Sequence, residues 1–286
     1  MGGAFTIREP RAMSERPFTS RKPRFQRPQG KKQGRRESQA WRPPHEIDTT
    51  ILYGWHPVVE ALRNSRRTIR RLLTTENSLR RLQEELGEPL PLEPEMVRPD
   101  DINRLLEPDA VHQGLYAEAD PLPSPSVETL SGTRVVLALD QITDPHNVGA
   151  IVRTAAAFGV EAIITTARHS PAATGVLAKS ASGGLEHVPF MIVKNLGDTL
   201  TALGKRGFQR IGLDSEGEAG IDELPLRLPL VLVLGSEGKG LRQRTRECCD
   251  VIGRLDMPGE IKSLNVSNAA AISLFAVTKA VAKTGT

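Results

Sequence analysis

Leu255-Asp256-Met257-Pro258-Gly259, followed by Ser263-Leu264-Asn265-Val266-Ser267-Asn268, is the stretch on which the reading of this chain turns. An apolar, β-prone run ends there in a Pro-Gly turn. Polar residues then alternate up to the start of a long helical pattern. Two stretches of the same kind lie upstream, Asp144-Pro145-His146-Asn147-Val148-Gly149-Ala150 and Leu234-Gly235-Ser236-Glu237-Gly238. Each sets Gly beside polar side chains at the end of a strand-like run. An α/β protein builds its site from such loops at the carboxyl ends of its strands. Three of them in one chain point to a single composite pocket.

Working outward, the second half of the chain alternates strand and helix patterns. Apolar runs at Val135–Leu139, Val160–Thr165, Val188–Val193, Phe208–Leu213, Pro229–Leu234 and Asp250–Leu255 predict strands. Helical patterns fall at Val148–Phe158, which stops at Gly159, and near Ala172–Ser180, Leu196–Lys205, Gly240–Cys248 and Val266–Ala282. This alternation predicts a mostly parallel sheet covered on both faces. A smaller α/β unit precedes it, over residues 49–120. There Pro57 fits a first helical turn, Thr68–Thr75 reads as a strand, and Leu79, Leu82 and Leu86 mark an amphipathic helix. Pro99–Leu106 predicts a short helix and Gly114–Ala119 a final strand. The Pro/Ser-rich residues 121–132 read as a linker, and residues from 133 onward as the second domain.

The formal net charge of +4 conceals a division. Residues 1–44 hold 12 Lys and Arg against 3 Asp and Glu, leaving 26 basic against 31 acidic residues in the remainder. The basic balance therefore belongs to residues 1–48, whose Arg, Pro, Gln and Ser content reads as disordered. A basic arm suits nucleic acid, by release of phosphate counterions, and equally suits a solvated leader. An organellar transit peptide is a third reading, opposed by Glu9, Glu15 and Glu37. Met1-Gly2 with Thr6 satisfies the permissive N-myristoylation pattern. No secretory h-region and no apolar run of roughly 20 residues occurs, so no membrane association is expected. Cys248 and Cys249 are the only cysteines. Adjacent cysteines make a strained disulfide, so both read as reduced packing residues of a cytosolic-type protein.

Several chemistries lack their motifs. There is no G-x-G-x-x-G after the first strand of the larger domain, and Lys239-Gly240 lacks the ending of a Walker A loop. No nucleophile elbow, zincin motif or Cys/His cluster occurs, so no metal site is expected. What remains is polar. Asn147 opens a helix, either as its cap or to orient a ligand, with Arg153 six residues on as a surface residue or an anion contact. Glu237 lies in a Gly-rich turn that lets backbone approach a ligand. Ser263, Asn265 and Ser267 exceed what one helix cap needs. His146 is the one histidine in the three loops.

The joint pattern resembles the SpoU (TrmH) family of RNA ribose 2′-O-methyltransferases. Asp144 to Ala155, Leu234 to Leu241, and Met257-Pro258-Gly259 with Ser263 to Asn268 carry the resemblance across about 134–286. Tyr53 to Leu62 and His112-Gln113-Gly114-Leu115 resemble the small L30e-like RNA-binding domain of the RlmB-type subgroup, which modifies a guanosine of large-subunit rRNA. The resemblance implies an α/β fold with a trefoil-knotted (SPOUT) catalytic domain that binds S-adenosylmethionine, and a homodimer. By position it implies a cofactor pocket at Gly235, Leu255 and Leu264. It implies an active site at Asn147, Arg153, Glu237, Ser263 and Asn265, without a metal. RNA is the expected partner, rRNA first and tRNA second, and not DNA, because only RNA offers a 2′-hydroxyl. A non-catalytic RNA-binding assembly factor is the alternative of another class. A bacterial-type cytoplasm is the expected compartment, with an organellar matrix second. The segments Arg66-Arg67, Arg70-Arg71 and Arg80-Arg81 are candidate phosphate contacts or solvated faces.

Overall fold

The computed structural model describes Gly2 and residues 49–167, 175–261 and 263–284. The expected disordered tail over residues 1–48 thus lies outside the described residues, Gly2 excepted. From residue 49 onward the described residues form one compact unit built on two sheets.

The first sheet takes β1 (Thr50–Tyr53), β2 (Ile69–Thr74), β3 (Glu95–Met96) and β4 (Leu115–Ala119) in the order β1-β4-β2-β3. Helices α1 (Trp55–Arg63), α2 (Glu76–Leu86) and α3 (Pro99–Asn103) connect them. Leu52, Val58, Leu72, Leu82 and Leu115 are buried together, each contributing about 1.5–3 kcal/mol by leaving water. β1 and β3 are absent from the sequence reading, since runs of four and two residues carry no usable period. α3 is shorter than Pro99–Leu106. The Leu105 amide turns back to the Ile102 carbonyl at 3.0 Å, which tightens the chain out of the helix.

The second sheet is entirely parallel. It holds β5 (Val136–Asp140), β6 (Ala162–Thr166), β7 (Phe190–Val193), β8 (Gln209–Leu213), β9 (Ala219–Gly220), β10 (Leu230–Gly235) and β11 (Val251–Arg254). The order is β7-β6-β5-β10-β8-β11-β9. Helices α4 (Pro145–Ala157), α5 (Gly175–Ala181), α6 (Leu196–Lys205), α7 (Gln243–Glu247) and α8 (Val266–Thr284) accompany it. Strand alternation sorts the core into two layers. Leu137, Leu139 and Leu232 pack with Ile151 of α4 and Leu274 of α8. Val136, Ala138 and Val233 pack with Leu200 of α6 on the opposite face. Both faces are therefore covered, as the alternating pattern predicts. A Cβ on Gly149 would lie 2.3 Å from the Ser180 Cβ, so glycine there lets α4 lie directly against α5.

From β5 the chain winds outward to β6 and β7, and then continues on the other side of β5 with β8 and β10. The neighbours β5 and β10 thus flank a topological switch point, where open α/β sheets place their ligands at the strand carboxyl ends. The segment 121–132 is pinned rather than loose. The Arg206 guanidinium donates to the Val127 and Leu130 carbonyls at 2.8 and 2.7 Å, and Leu130 is buried. Among the described residues no helix is long and apolar enough to cross a membrane.

Candidate functional site: a cleft at the carboxyl ends of β8, β10 and β11

A cavity of about 270 Å³ opens at the carboxyl ends of β8, β10 and β11 and the start of α8. Its walls include Gly235, Leu255 and Leu264, together with Glu237 and Ser263. All three residues expected at the cofactor pocket therefore line one cleft with two of those expected at the active site. The cleft is shaped by the turn after β10. A Cβ on Gly235 would sit 2.2 Å from the Gly240 carbonyl carbon, and Gly240 has a φ of +61°. Only glycine lets this turn close so tightly on itself.

Asp214, which follows β8, fixes the far end of the turn. Its carboxylate accepts from the Arg246 guanidinium at 2.8 Å and from the Leu241 amide at 3.5 Å. Burial pushes the Asp214 carboxyl up. The Glu216 amide, the Arg246 guanidinium and the Leu241 amide outweigh burial and hold it below the usual carboxylate range. Asp140, which ends β5 and is buried, fixes the turn from the other side, accepting from the Arg242 amide at 3.0 Å and its Nε at 2.7 Å. Neither aspartate figures in the sequence reading. Both end an apolar strand run, the same signal that singled out Glu237.

Glu237 is the centre of the polar cluster. Its Oε1 accepts from Asn265 Nδ2 at 2.8 Å, Asn147 Nδ2 at 3.2 Å and the Val266 amide at 3.2 Å. Asn265 Nδ2 also lies 2.9 Å from Asn147 Oδ1. The carboxylate thus sits at the N-terminus of α8, where the helix dipole favours negative charge. Three loops distant in sequence meet on one oxygen.

The alternative cap roles are now resolved. Asn147 does not cap α4. Asp144 does, accepting from the His146 amide at 3.0 Å, so the Asn147 amide is left for Glu237. Asn265 caps α8 through Oδ1, which accepts from the Ser267 amide and hydroxyl at 2.9 and 2.6 Å. His146 is exposed and lies 3.3 Å from the Ser180 hydroxyl.

Arg153 stands apart from this cluster. It is exposed on α4, and its side chain makes no hydrogen bond or ion pair to another described residue. Six residues of helix separate it from Asn147 by about 9 Å along the axis and turn it to another side.

The arginine pairs expected at phosphates are largely engaged within the protein. Arg67 is buried against Glu186, which also accepts from Asn64 Nδ2 at 2.7 Å. Arg70 pairs with Asp120, Arg71 with Glu95 at 2.8 Å, and Arg81 lies 3.9 Å over the Trp55 ring. The acidic partners lie up to 119 residues away, which conceals the pairing from sequence reading. Arg80, Arg134, Arg153, Lys194, Lys205 and Lys239 are among the exposed cations whose side chains have no partner among the described residues.

The model of the SpoU rRNA methylase family matches residues 134–275, and that of the RNA 2′-O ribose methyltransferase substrate-binding domain matches residues 51–125. A 23S rRNA (guanosine-2′-O-)-methyltransferase RlmB of Pseudomonas aeruginosa is 42% identical over 176 residues, 59% of this chain and 71% of the relative. The RlmB of Ralstonia nicotianae is 36% identical over 233 residues, 79% of this chain and 93% of the relative. The chain belongs to the SpoU rRNA methylase family. It is an RNA 2′-O-ribose methyltransferase that draws its methyl group from S-adenosylmethionine. Among solved structures, the SpoU methyltransferase AviRb of Streptomyces viridochromogenes superposes with a TM-score of 0.70 at 23% identity. The likeness covers 82% of this chain and 91% of AviRb, and a second AviRb structure holds AdoMet. The fold of this SpoU methylase is thus that of the SpoU methyltransferases.

Proposed function

We propose that this SpoU methylase transfers a methyl group to the ribose 2′-hydroxyl of a guanosine in 23S-type rRNA. The two RlmB relatives and the matched substrate-binding region at 51–125 support rRNA over tRNA. The observation that carries the site is Glu237 Oε1, which draws Asn147, Asn265 and the α8 N-terminus to the rim of the cleft.

The cleft fits the cofactor: apolar Leu255, Leu264 and Leu234 suit an aromatic base, and the close-approach turn at Gly235 leaves backbone open to polar groups. S-adenosylmethionine held there supplies an electrophilic sulfonium methyl. The reaction is an in-line displacement, so the chain's tasks are to align the 2′-oxygen and to promote loss of its proton to solvent water. Asn147 and Asn265, locked by Glu237, orient the nucleotide, and Ser263 faces it from the cleft wall. Arg153 contacts the target phosphate or hydroxyl and promotes loss of the proton. An exposed guanidinium on α4 is open to RNA or to a second copy of the chain.

The larger domain, 133–286, carries catalysis with its chain knotted around the cofactor loops, and 49–120 is the L30e-like substrate-binding domain. A homodimer through the larger domain is supported by Ile272 and Phe275, which α8 leaves about half exposed. The working compartment is the bacterial cytoplasm, in keeping with the bacterial sources of the relatives.

The test is labelled methyl transfer from S-adenosylmethionine to unmodified 23S rRNA and to tRNA, with the product mapped by resistance to alkaline cleavage. One resistant guanosine in rRNA is the expected result. Transfer to tRNA alone overturns the substrate assignment, and sedimentation of the same sample tests the dimer.

A further inference from the structure

On the other side of the loop that closes the cofactor cleft lies a second cavity, of about 260 Å³, lined by polar and basic groups. Thr166, Lys194, Asn195, Gly197, Arg242 and Arg244 are among its walls. It opens at the carboxyl ends of β6 and β7, on the same edge of the sheet as the cleft. Arg242 belongs to the segment between β10 and α7, so one loop borders both cavities.

We propose that this cavity seats a phosphodiester of the substrate RNA; this rests on the reading of the chain as an RNA methyltransferase. Two independent observations carry it. The first is the cationic frame over a helix start. α6 has ten residues and begins at Leu196. Asn195 caps the Asp198 amide at 3.3 Å, while the first-turn amides of Leu196 and Gly197 have no intrahelical acceptor. Arg244 lies over that turn, its Nε 3.1 Å from where a Gly197 Cβ would stand. Lys194 is exposed with no partner among the described residues. The carboxylates nearby are both engaged. Asp140 is buried against Arg242 at 2.7 Å, and Asp198 pairs with Arg244 at 2.6 Å. Arg242 Nη1 takes no part in its pair and stays available.

The second observation is Thr166, one of the residues around the cavity. It is 6% exposed, and its hydroxyl has no hydrogen-bond partner among the described residues. Buried hydroxyls are almost always satisfied, so an orphan beside a basic cavity points to a ligand oxygen. A phosphate oxygen answers it, with the guanidinium and ammonium groups taking the charge. Held there, the RNA backbone would be registered against the loop that also shapes the cofactor cleft. The site would position RNA without reading its sequence.

The test compares the full chain with Lys194→Ala/Arg244→Ala and, separately, Thr166→Val, which keeps the shape of the side chain. RNA affinity is measured across a salt series, together with methyl transfer and calorimetric binding of S-adenosylmethionine. The double variant is expected to lower the slope of log K against log salt by about 1–2, raise KM for RNA by about tenfold, and leave cofactor affinity unchanged. Thr166→Val is expected to raise KM in the same direction, without change in kcat. Wild-type transfer with an unaltered slope and KM in the variants overturns the phosphate site alone. A wild type that neither binds nor methylates RNA overturns the activity reading, and this proposal with it. If inorganic phosphate gives a binding heat that the double variant abolishes while RNA affinity is unmoved, the cavity takes a free anion and the RNA assignment falls.

Discussion

Asn265 Nδ2 donates to Glu237 Oε1 at 2.8 Å, joining the turn after β10 to the first turn of α8. The same Asn265 caps α8 through Oδ1. One side chain therefore ends a loop, starts a helix and fixes a carboxylate at the rim of the cleft.

Glu237 is exposed, so its removal should leave the fold intact while releasing both amides. Glu237→Ala is expected to lower methyl transfer by about 10²-fold, the cost of misplacing groups by an ångström or so. Glu237→Gln, which keeps one acceptor oxygen, should lose less. Single-turnover transfer with circular dichroism as a folding control checks this. Wild-type turnover in the Ala variant would remove Glu237 from the site.

Gly235→Ala places a methyl 2.2 Å from the Gly240 carbonyl carbon and 2.5 Å from the Leu241 amide nitrogen. Backbone must move, at a cost of about 1–3 kcal/mol. Affinity for S-adenosylmethionine should fall about 10–100-fold by calorimetry. Unchanged affinity would mean that the turn does not shape the cofactor pocket.

Arg67 and Glu186 are both almost fully buried and bridge the two sheets' surroundings. Glu186→Ala leaves a buried guanidinium unpaired and should cost about 3–5 kcal/mol in urea unfolding. Replacing both partners, Arg67→Met with Glu186→Leu, should recover most of that loss. A double variant no better than the single would show that the pair itself is indispensable.

The acid limb of stability should include Asp214. Its carboxyl is held below the ordinary value in the folded protein, so its contribution is complete above the unfolded value near 3.9 and is lost as pH falls through the folded one. Asp214→Asn should cost about 1–3 kcal/mol at neutral pH. The gap between wild type and variant should stay flat down to about pH 5 and close below about pH 4. Urea unfolding across that range measures it, and a gap that widens on acidification contradicts the sign.

Burial pushes the Cys249 thiol up to about 12, with Cys248 adding to the effect, and its Sγ donates to the Thr245 carbonyl at 3.3 Å. Thiolate is the reactive form. Alkylation at about pH 8 should spare Cys249 in the folded protein and reach it only after unfolding, as peptide mapping would show. Rapid labelling of native Cys249 would contradict the raised thiol in this half-buried setting.

The sequence by itself determined the order of strands and helices, the parallel sheet and the three site loops. Those follow from local periodicity and from Gly and polar residues at strand ends, which act over a few neighbouring residues. It did not reveal β1, β3 or β9, whose two to four residues carry no period. Tertiary structure decided the rest. It gave the α4 cap to Asp144 and so freed Asn147 for Glu237, 90 residues away. It buried Arg67 against Glu186 and set Asp140 and Asp214 as the posts that hold the β10 turn. It also left Arg153 apart from the cluster that its motif shares. These pairings depend on which strand lies beside which, and a hydrogen bond or ion pair is made only where packing has already brought its partners within about 3 Å.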